Sequence, residues 1–276
     1  MTRSIAILGK SGVGKTFVAA HLAMAMGFFG EKTLLVGCDL KRDTSRAVTG
    51  VSSQSLIEAL EQVGFDYDRL DLSDVIVPVN EYVDVMELGP SPLLVGHYGE
   101  LLEEMLHVFQ KFSINSAYRR LIFDVNDERF DASYAPLYRY ASAAVAVTDE
   151  SAESLFVLNR MLRAILIGSY EMSLPMRVVG VVNNRSVNPA PFEAFVQHTK
   201  CFPLVNIPDS LDLARLRPQQ RTLFTLADRS PAQAEAMDDI LKVAEMLRGE
   251  PFNLYALSPM ADDEVWALAP GQQFPV

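Results

Sequence analysis

Cysteine is scarce: Cys38 and Cys201 are the only two in 276 residues, too few for a disulfide framework, and neither belongs to a close pair with metal-ligand spacing. Both are expected to be buried as small apolar side chains. Basic residues are also in short supply, with 24 Lys plus Arg against 35 Asp plus Glu and a net charge of −11. A field of that sign repels polyanions and argues against nucleic acid as a partner. No apolar run reaches the roughly 20 residues needed to cross a bilayer, which argues against direct membrane insertion. Met1-Thr2-Arg3-Ser4 leads straight into an apolar segment with no room for a signal peptide, so the expectation is a cytoplasmic protein. Internal repeats, low-complexity stretches and charge blocks are absent, so residues 1–250 read as one domain followed by a tail over 251–276. That tail is acidic around Ala261-Asp262-Asp263-Glu264 and lacks a basic amphipathic helix for lying on lipid. It reads as irregular from Pro251 onward, with Leu254, Tyr255, Leu257 and the single tryptophan, Trp266, docking on the body or on a partner.

What is present is concentrated near the start. The run Gly9-Lys10-Ser11-Gly12-Val13-Gly14-Lys15-Thr16 follows the apolar segment Ile5-Ala6-Ile7-Leu8 and opens an amphipathic segment from Phe17 to Met26. Strand, glycine loop and helix are the setting of a phosphate-binding loop. Its glycines let successive N–H groups curl around an anion, Lys15 brings a point charge to the β/γ-phosphates, and Thr16 offers a hydroxyl to Mg²⁺.

Along the rest of the chain, Ser4–Leu8, Thr33–Gly37, Val83–Leu88, Arg120–Asp124, Ala143–Val147, Arg177–Val182 and Phe202–Val205 read as strands. Several are apolar almost throughout, as parallel strands covered on both faces should be. Helical spacing over Phe17–Gly27, Gly99–Phe112, Ser151–Leu166 and Ala190–His198 completes an α/β fold: a doubly wound, mostly parallel sheet with helices on both faces, a single P-loop NTPase domain. Ligands of such folds bind at the carboxyl ends of the strands. Two strand ends there carry acids, in Gly37-Cys38-Asp39-Leu40-Lys41-Arg42-Asp43-Thr44 and in Phe123-Asp124-Val125-Asn126-Asp127-Glu128. A nucleoside triphosphate needs Mg²⁺, and hydrolysis needs a group that orients water.

Lys10, a second lysine in the loop, resembles the mark of the deviant Walker-A ATPases, the class of MinD, ParA and the nitrogenase iron protein. Gly37-Cys38-Asp39 with Lys41, Asp43 and Thr44, and the run Glu153-Ser154-Leu155-Phe156-Val157-Leu158-Asn159, are similar to the iron-protein family within it. That family comprises the nitrogenase iron protein and the ATP-dependent reductase subunits of protochlorophyllide and chlorophyllide reduction. The tail from Leu257-Ser258-Pro259 to Leu268 resembles the X-subunit branch of chlorophyllide reductase. The resemblance implies a homodimer closing on ATP and Mg²⁺. Residues Gly9, Lys10, Ser11, Gly12, Val13, Gly14, Lys15 and Thr16, with Lys41, would bind phosphates. Thr16, Asp43 and Asp124 would serve the metal, and Lys10, Lys15, Asp39 and Glu128 the hydrolysis. Asn183, Pro208 and Asp209 match segments that hold adenine, although Asn183 reads equally as a turn residue.

The departures from the family are specific. Its 4Fe–4S cluster takes two cysteines from each subunit, and here His97 and Asp131 stand at those positions. Such a cluster needs four thiolates, so none is expected, and electron transfer by the family mechanism is not implied. Paired His97 and Asp131 could instead hold Zn²⁺ or Fe²⁺, or be polar residues of a remodelled dimer contact. Asp127 replaces the glycine that senses the γ-phosphate, which implies slow hydrolysis. Three functions follow as alternatives: an ATP-dependent switch acting on a protein partner in bacteriochlorophyll or photosynthetic-complex biogenesis, a structural subunit with permanently bound nucleotide, or a reductase component with an unusual metal site. The partner would meet the Gly89–Gly99 and Glu128–Pro136 loops.

Overall fold

The computed structural model describes residues 3–39, 41–89, 98–125, 132–171, 177–216, 219–249 and 257–268. Its strands are β1 (Arg3–Leu8), β2 (Thr33–Gly37), β3 (Val77–Pro78), β4 (Val83–Glu87), β5 (Arg120–Asp124), β6 (Ala143–Thr148), β7 (Arg177–Ser186) and β8 (Pro203–Pro208). Its helices are α1 (Lys15–Phe28), α2 (Thr44–Thr49), α3 (Leu56–Gln62), α4 (Tyr98–Lys111), α5 (Ile114–Ala117), α6 (Ala135–Tyr140), α7 (Ala152–Glu171), α8 (Ala190–Thr199), α9 (Leu211–Ala214), α10 (Pro231–Arg248) and α11 (Asp262–Ala267). The strands form one sheet in the order β3-β4-β2-β5-β1-β6-β7-β8, parallel except for the short edge pair β3 and β4.

Alternation along the strands explains why both faces are covered. Ile5 and Ile7 of β1 point with Leu35, Ile122 and Val145 into a core shared with α1 and α10, whereas Ala6 and Leu8 point with Val36, Phe123 and Ala146 into a core shared with α3, α4 and α7. β2, β5 and β6 are buried along their whole length, which is why their sequences show no polar alternation. Pairing of Asp124 with both Gly37 and Ile7 sets the ends of β1, β2 and β5 level, and the phosphate loop leaves from that edge.

Two expectations change. β7 and β8 run further than their apolar patterns, so Asn183 is a strand residue opposite Asn206 rather than part of a turn. The described part of the tail is not irregular throughout: residues 262–267 form α11, which packs on α7. Acidic residues over its first turn suit a helix N-terminus, a signal that reading the stretch only for charge overlooks. Just before it, buried Asn159 of α7 donates Nδ2 to the Met260 carbonyl and accepts from the Met260 N–H, both at 2.9 Å. Trp266 is half-buried with its ring 5.5 Å from Phe156, so it docks on the body as the sequence suggests. Leu254 and Tyr255 lie outside the described residues.

Candidate functional site

The loop between β1 and α1 has backbone that only glycine takes readily. Gly9 has φ of 151° and a Cβ there would run into the Val147 carbonyl; Gly14 has φ of 96° and a Cβ would strike the Asn184 side chain. Asn184 donates Nδ2 to the Val13 carbonyl at 2.7 Å, tying the end of β7 to the loop. α1 begins at Lys15, so its first N–H groups face the loop's concavity, an arrangement that favours an anion. Lys15 is only 6% exposed and donates Nζ to the Lys10 carbonyl at 3.0 Å. Lys10 points elsewhere, its ammonium 3.2 Å from Glu153.

Acids gather beside Lys15, as the strand ends require. Asp124 is buried, and burial pushes its carboxyl up to about 6 against the opposing effect of the Thr16 and Thr44 hydroxyls. Thr44 Oγ1 donates to Asp124 Oδ2 at 2.8 Å. Asp39 accepts the Lys41 N–H at 3.0 Å, and its carboxylate is 3.9 Å from the Lys41 ammonium. Behind them Glu87, with no exposed surface, is pushed up to about 7, chiefly by burial and then by Asp124 and Asp43 despite the Ser45 N–H. Among the described residues no three His, Cys, Asp or Glu side chains make a self-contained metal site. A cation at Thr16, Asp43 and Asp124 would therefore need phosphate or water oxygens to complete its shell, as Mg²⁺ ordinarily does.

A cavity of about 700 Å³ opens over these groups and extends past Phe17 to Leu216 and Arg221. That size and mixed lining suit a nucleotide-sized ligand. The floor of this extension includes His21, whose Nδ1 lies 2.7 Å from the Phe17 carbonyl while Nε2 accepts the Leu223 N–H at 3.0 Å. Burial lowers the imidazole to about 4, so it is neutral with the proton on Nδ1.

The residues expected to hold adenine are not gathered in this cavity. Asp209 lines a separate hollow of about 270 Å³ with Asp149 and Arg185. Pro208 closes β8, and buried Asn183 donates to Asn206 Oδ1 at 3.1 Å and to Glu150 Oε2 at 3.4 Å. Its Oδ1 is buried with no hydrogen-bond partner among the described residues. Glu128, His97, Asp127 and Asp131 lie outside the described residues, as does much of the two predicted partner loops. Asn184 and Glu153, which bond to the loop, are additions to the site, and Glu87 lies behind it. The Asn183-Asn184 doublet ending an apolar strand and the acid closing the Val83–Glu87 strand were the available signals.

The two thiols do not fit an iron–sulfur cluster. Cys38 and Cys201 are both buried, and burial pushes the first well up and the second to about 11, whereas a cluster binds thiolates. Cys38 follows the carboxyl end of β2, and Cys201 precedes the amino end of β8, five strand positions away. At about 4.8 Å per strand that is some 24 Å.

A parallel sheet whose central strand feeds a glycine loop, a buried lysine and a threonine, with an aspartate on the neighbouring strand, defines a P-loop nucleoside-triphosphate-binding protein. Its particular branch follows from comparison with known proteins. Residues 3–269 match the family of 4Fe-4S iron sulfur cluster binding proteins, NifH/frxC family, and the chain belongs to that family. It is similar to the light-independent protochlorophyllide reductase iron-sulfur ATP-binding protein of Chlorobium luteolum, 28% identical over 279 residues that cover 99% of this chain and 100% of the relative. The same-named protein of Chlorobaculum tepidum is 26% identical, with 99% and 100% covered. Among solved structures, septum site-determining protein MinD with Mg-ADP from Pyrococcus horikoshii has a TM-score of 0.67 at 19% identity, covering 90% of this chain and 98% of that one. A ParA family ATPase from Chlorobium tepidum has 0.69 at 18%, covering 89% and 98%. These structures share the fold.

Proposed function

We propose that this chain is an ATP-binding switch that works as a homodimer and uses ATP binding, with slow hydrolysis, to control a protein partner without an iron–sulfur cluster. The observation carrying this reading is the joint state of two features: a complete phosphate loop beside a buried aspartate, and two buried, widely separated thiols unsuited to a cluster. Lys15 and the α1 amides hold the phosphates, and Lys10 and Lys41 supply further positive charge, from within the chain or across the dimer. Thr16, Asp43 and Asp124 would hold Mg²⁺, which when bound neutralises phosphate charge. Asp39 and Glu128 orient water. The base occupies the extension toward Phe17 and Leu216, away from Asn183, Pro208 and Asp209.

Because the named relatives are light-independent protochlorophyllide reductase iron-sulfur ATP-binding proteins, the partner is sought among proteins of tetrapyrrole reduction and photosynthetic-complex assembly. The test is the nucleotide, iron and sulfide content of the purified protein, followed by turnover and self-association with MgATP in wild type and Lys15→Ala. ATP-dependent dimer formation that is lost in the variant, with no iron or sulfide, is expected. Stoichiometric iron and sulfide would restore an electron-transfer role, and unchanged behaviour in the variant would remove the ATP switch.

A further inference from the structure

We propose that Glu87 is a positioning residue that couples the segment around the phosphate end of the cavity, residues 41–57, to the end of β4, residues 87–89. The inference rests on the ATP-binding reading above.

Glu87 is the last residue of β4 and has no exposed surface. Its Oε1 accepts the Ser45 N–H at 2.5 Å, in the first turn of α2. The preceding residue is Thr44, whose hydroxyl donates to Asp124, and Asp43 stands immediately before the same helix. One carboxylate oxygen thus fastens β4 to the helix that carries two groups of the phosphate site. Its other oxygen, Oε2, is buried with no hydrogen-bond partner among the described residues and occupies the space that a side chain at Gly37 would fill.

The far end of the same segment grips the strand as well. Ser55 bridges to Glu87, Ile57 N–H donates to the Leu88 carbonyl at 3.2 Å, and Leu88 N–H donates to the Gly37 carbonyl at 2.8 Å. Gly89, with φ of 81°, lies so close to Ser55 that a Cβ there would collide with it. Residues 87–89 are therefore held by both ends of the stretch from Thr44 to Ile57. A displacement of α2 on nucleotide binding has to move the end of β4 or break the Glu87–Ser45 bond.

A buried carboxylate with an unbonded oxygen destabilises the fold. An apolar side chain would fill the space at less cost, yet could not accept the Ser45 N–H. The geometry needs an acceptor at the reach of glutamate and does not need its charge. Glutamine should therefore substitute, and aspartate, one methylene shorter, should not.

The experiment is hydrogen–deuterium exchange of the full chain over residues 41–57 and 83–89, with and without MgATP, alongside kcat and KM for ATP and direct binding of ADP. In wild type, MgATP is expected to slow exchange in both segments. In Glu87→Ala the protection of 83–89 is lost and kcat falls about tenfold, the loss of one buried hydrogen bond, while ADP affinity stays at the wild-type value. Glu87→Gln restores both properties, and Glu87→Asp behaves as alanine does. Should the alanine variant not fold, the glutamine and aspartate pair decides the matter. Wild-type coupling in Glu87→Asp, or a glutamine variant as defective as aspartate, would overturn the inference while leaving ATP binding intact. No binding of MgATP by wild type would instead overturn the nucleotide reading, and this inference with it.

Discussion

The ammonium of Lys10 lies 3.2 Å from the carboxylate of Glu153 in the same chain, with the lysine side chain 30% and the glutamate 55% exposed. In the proposed dimer Lys10 is to serve phosphate, so this pair competes with closure. An exposed ion pair is worth at most about 1 kcal/mol, which limits the effect to about fivefold. Glu153→Gln is expected to raise the MgATP-induced dimer fraction by that factor at low salt, read by sedimentation velocity, and the advantage should shrink as salt rises. A weaker dimer in the variant would mean that Glu153 presents Lys10 to the phosphate rather than withholding it.

Asn184 holds the loop from behind through the Val13 carbonyl. Its replacement by alanine leaves a buried acceptor unpaired and frees the loop to relax away from phosphate. ATP affinity measured by calorimetry is expected to fall about tenfold. Asn183→Ala, which leaves the loop tie in place, should have the smaller effect; the reverse order would return the principal role to Asn183.

His21 gives the fold a defined acid sensitivity. Its native value of about 4 lies below the ordinary 6.5, so the unfolded chain binds the extra proton first as pH falls. The stability from burying neutral imidazole is complete well above pH 6.5 and declines until about pH 4, with about 2 kcal/mol lost by pH 5. Asp124 at about 6 and Glu87 at about 7 act in the opposite sense, gaining stability as pH falls toward their unfolded values near 4. Urea denaturation of wild type and His21→Leu isolates the histidine contribution. The variant should be less stable at pH 7 because Leu223 loses its acceptor, yet should lack that acid-side loss; equal slopes would show that His21 does not stay neutral.

The tail is fastened by Asn159, which imitates a backbone strand partner by pairing with both polar groups of Met260, while Arg163 adds a bond to the same carbonyl at 2.5 Å. Asn159→Ala is expected to lower stability by about 2 kcal/mol and to speed proteolytic cleavage between residues 249 and 262. An unchanged cleavage rate would place the strength of the docking in α11 and Trp266 instead.

The strands of the central sheet were legible because burial on both faces leaves a nearly unbroken apolar run, as in Thr33–Gly37 and Ala143–Thr148. Edge strand β3 was not, since two residues ending in Pro78 carry no period. α3 and α10 begin with capping boxes, Ser55 with Glu58 and Ser230 with Gln233, signals that were present in the sequence but are weaker than periodicity. The reach of β7 to Ser186 was hidden because polar Asn183 and Asn184 end the apolar pattern while the ladder with β8 continues.

By itself the sequence determined the phosphate loop, the parallel sheet and the acids at the strand ends, because backbone conformation and strand burial are enforced by residues close together in the chain. Tertiary structure alone decided which distant groups meet: Asn184 with Val13, Glu87 with Ser45, Lys10 with Glu153, Asn159 with Met260. Those pairs are set by strand order and by helices crossing the sheet, and a hydrogen bond of about 3 Å depends on that placement rather than on any spacing along the chain.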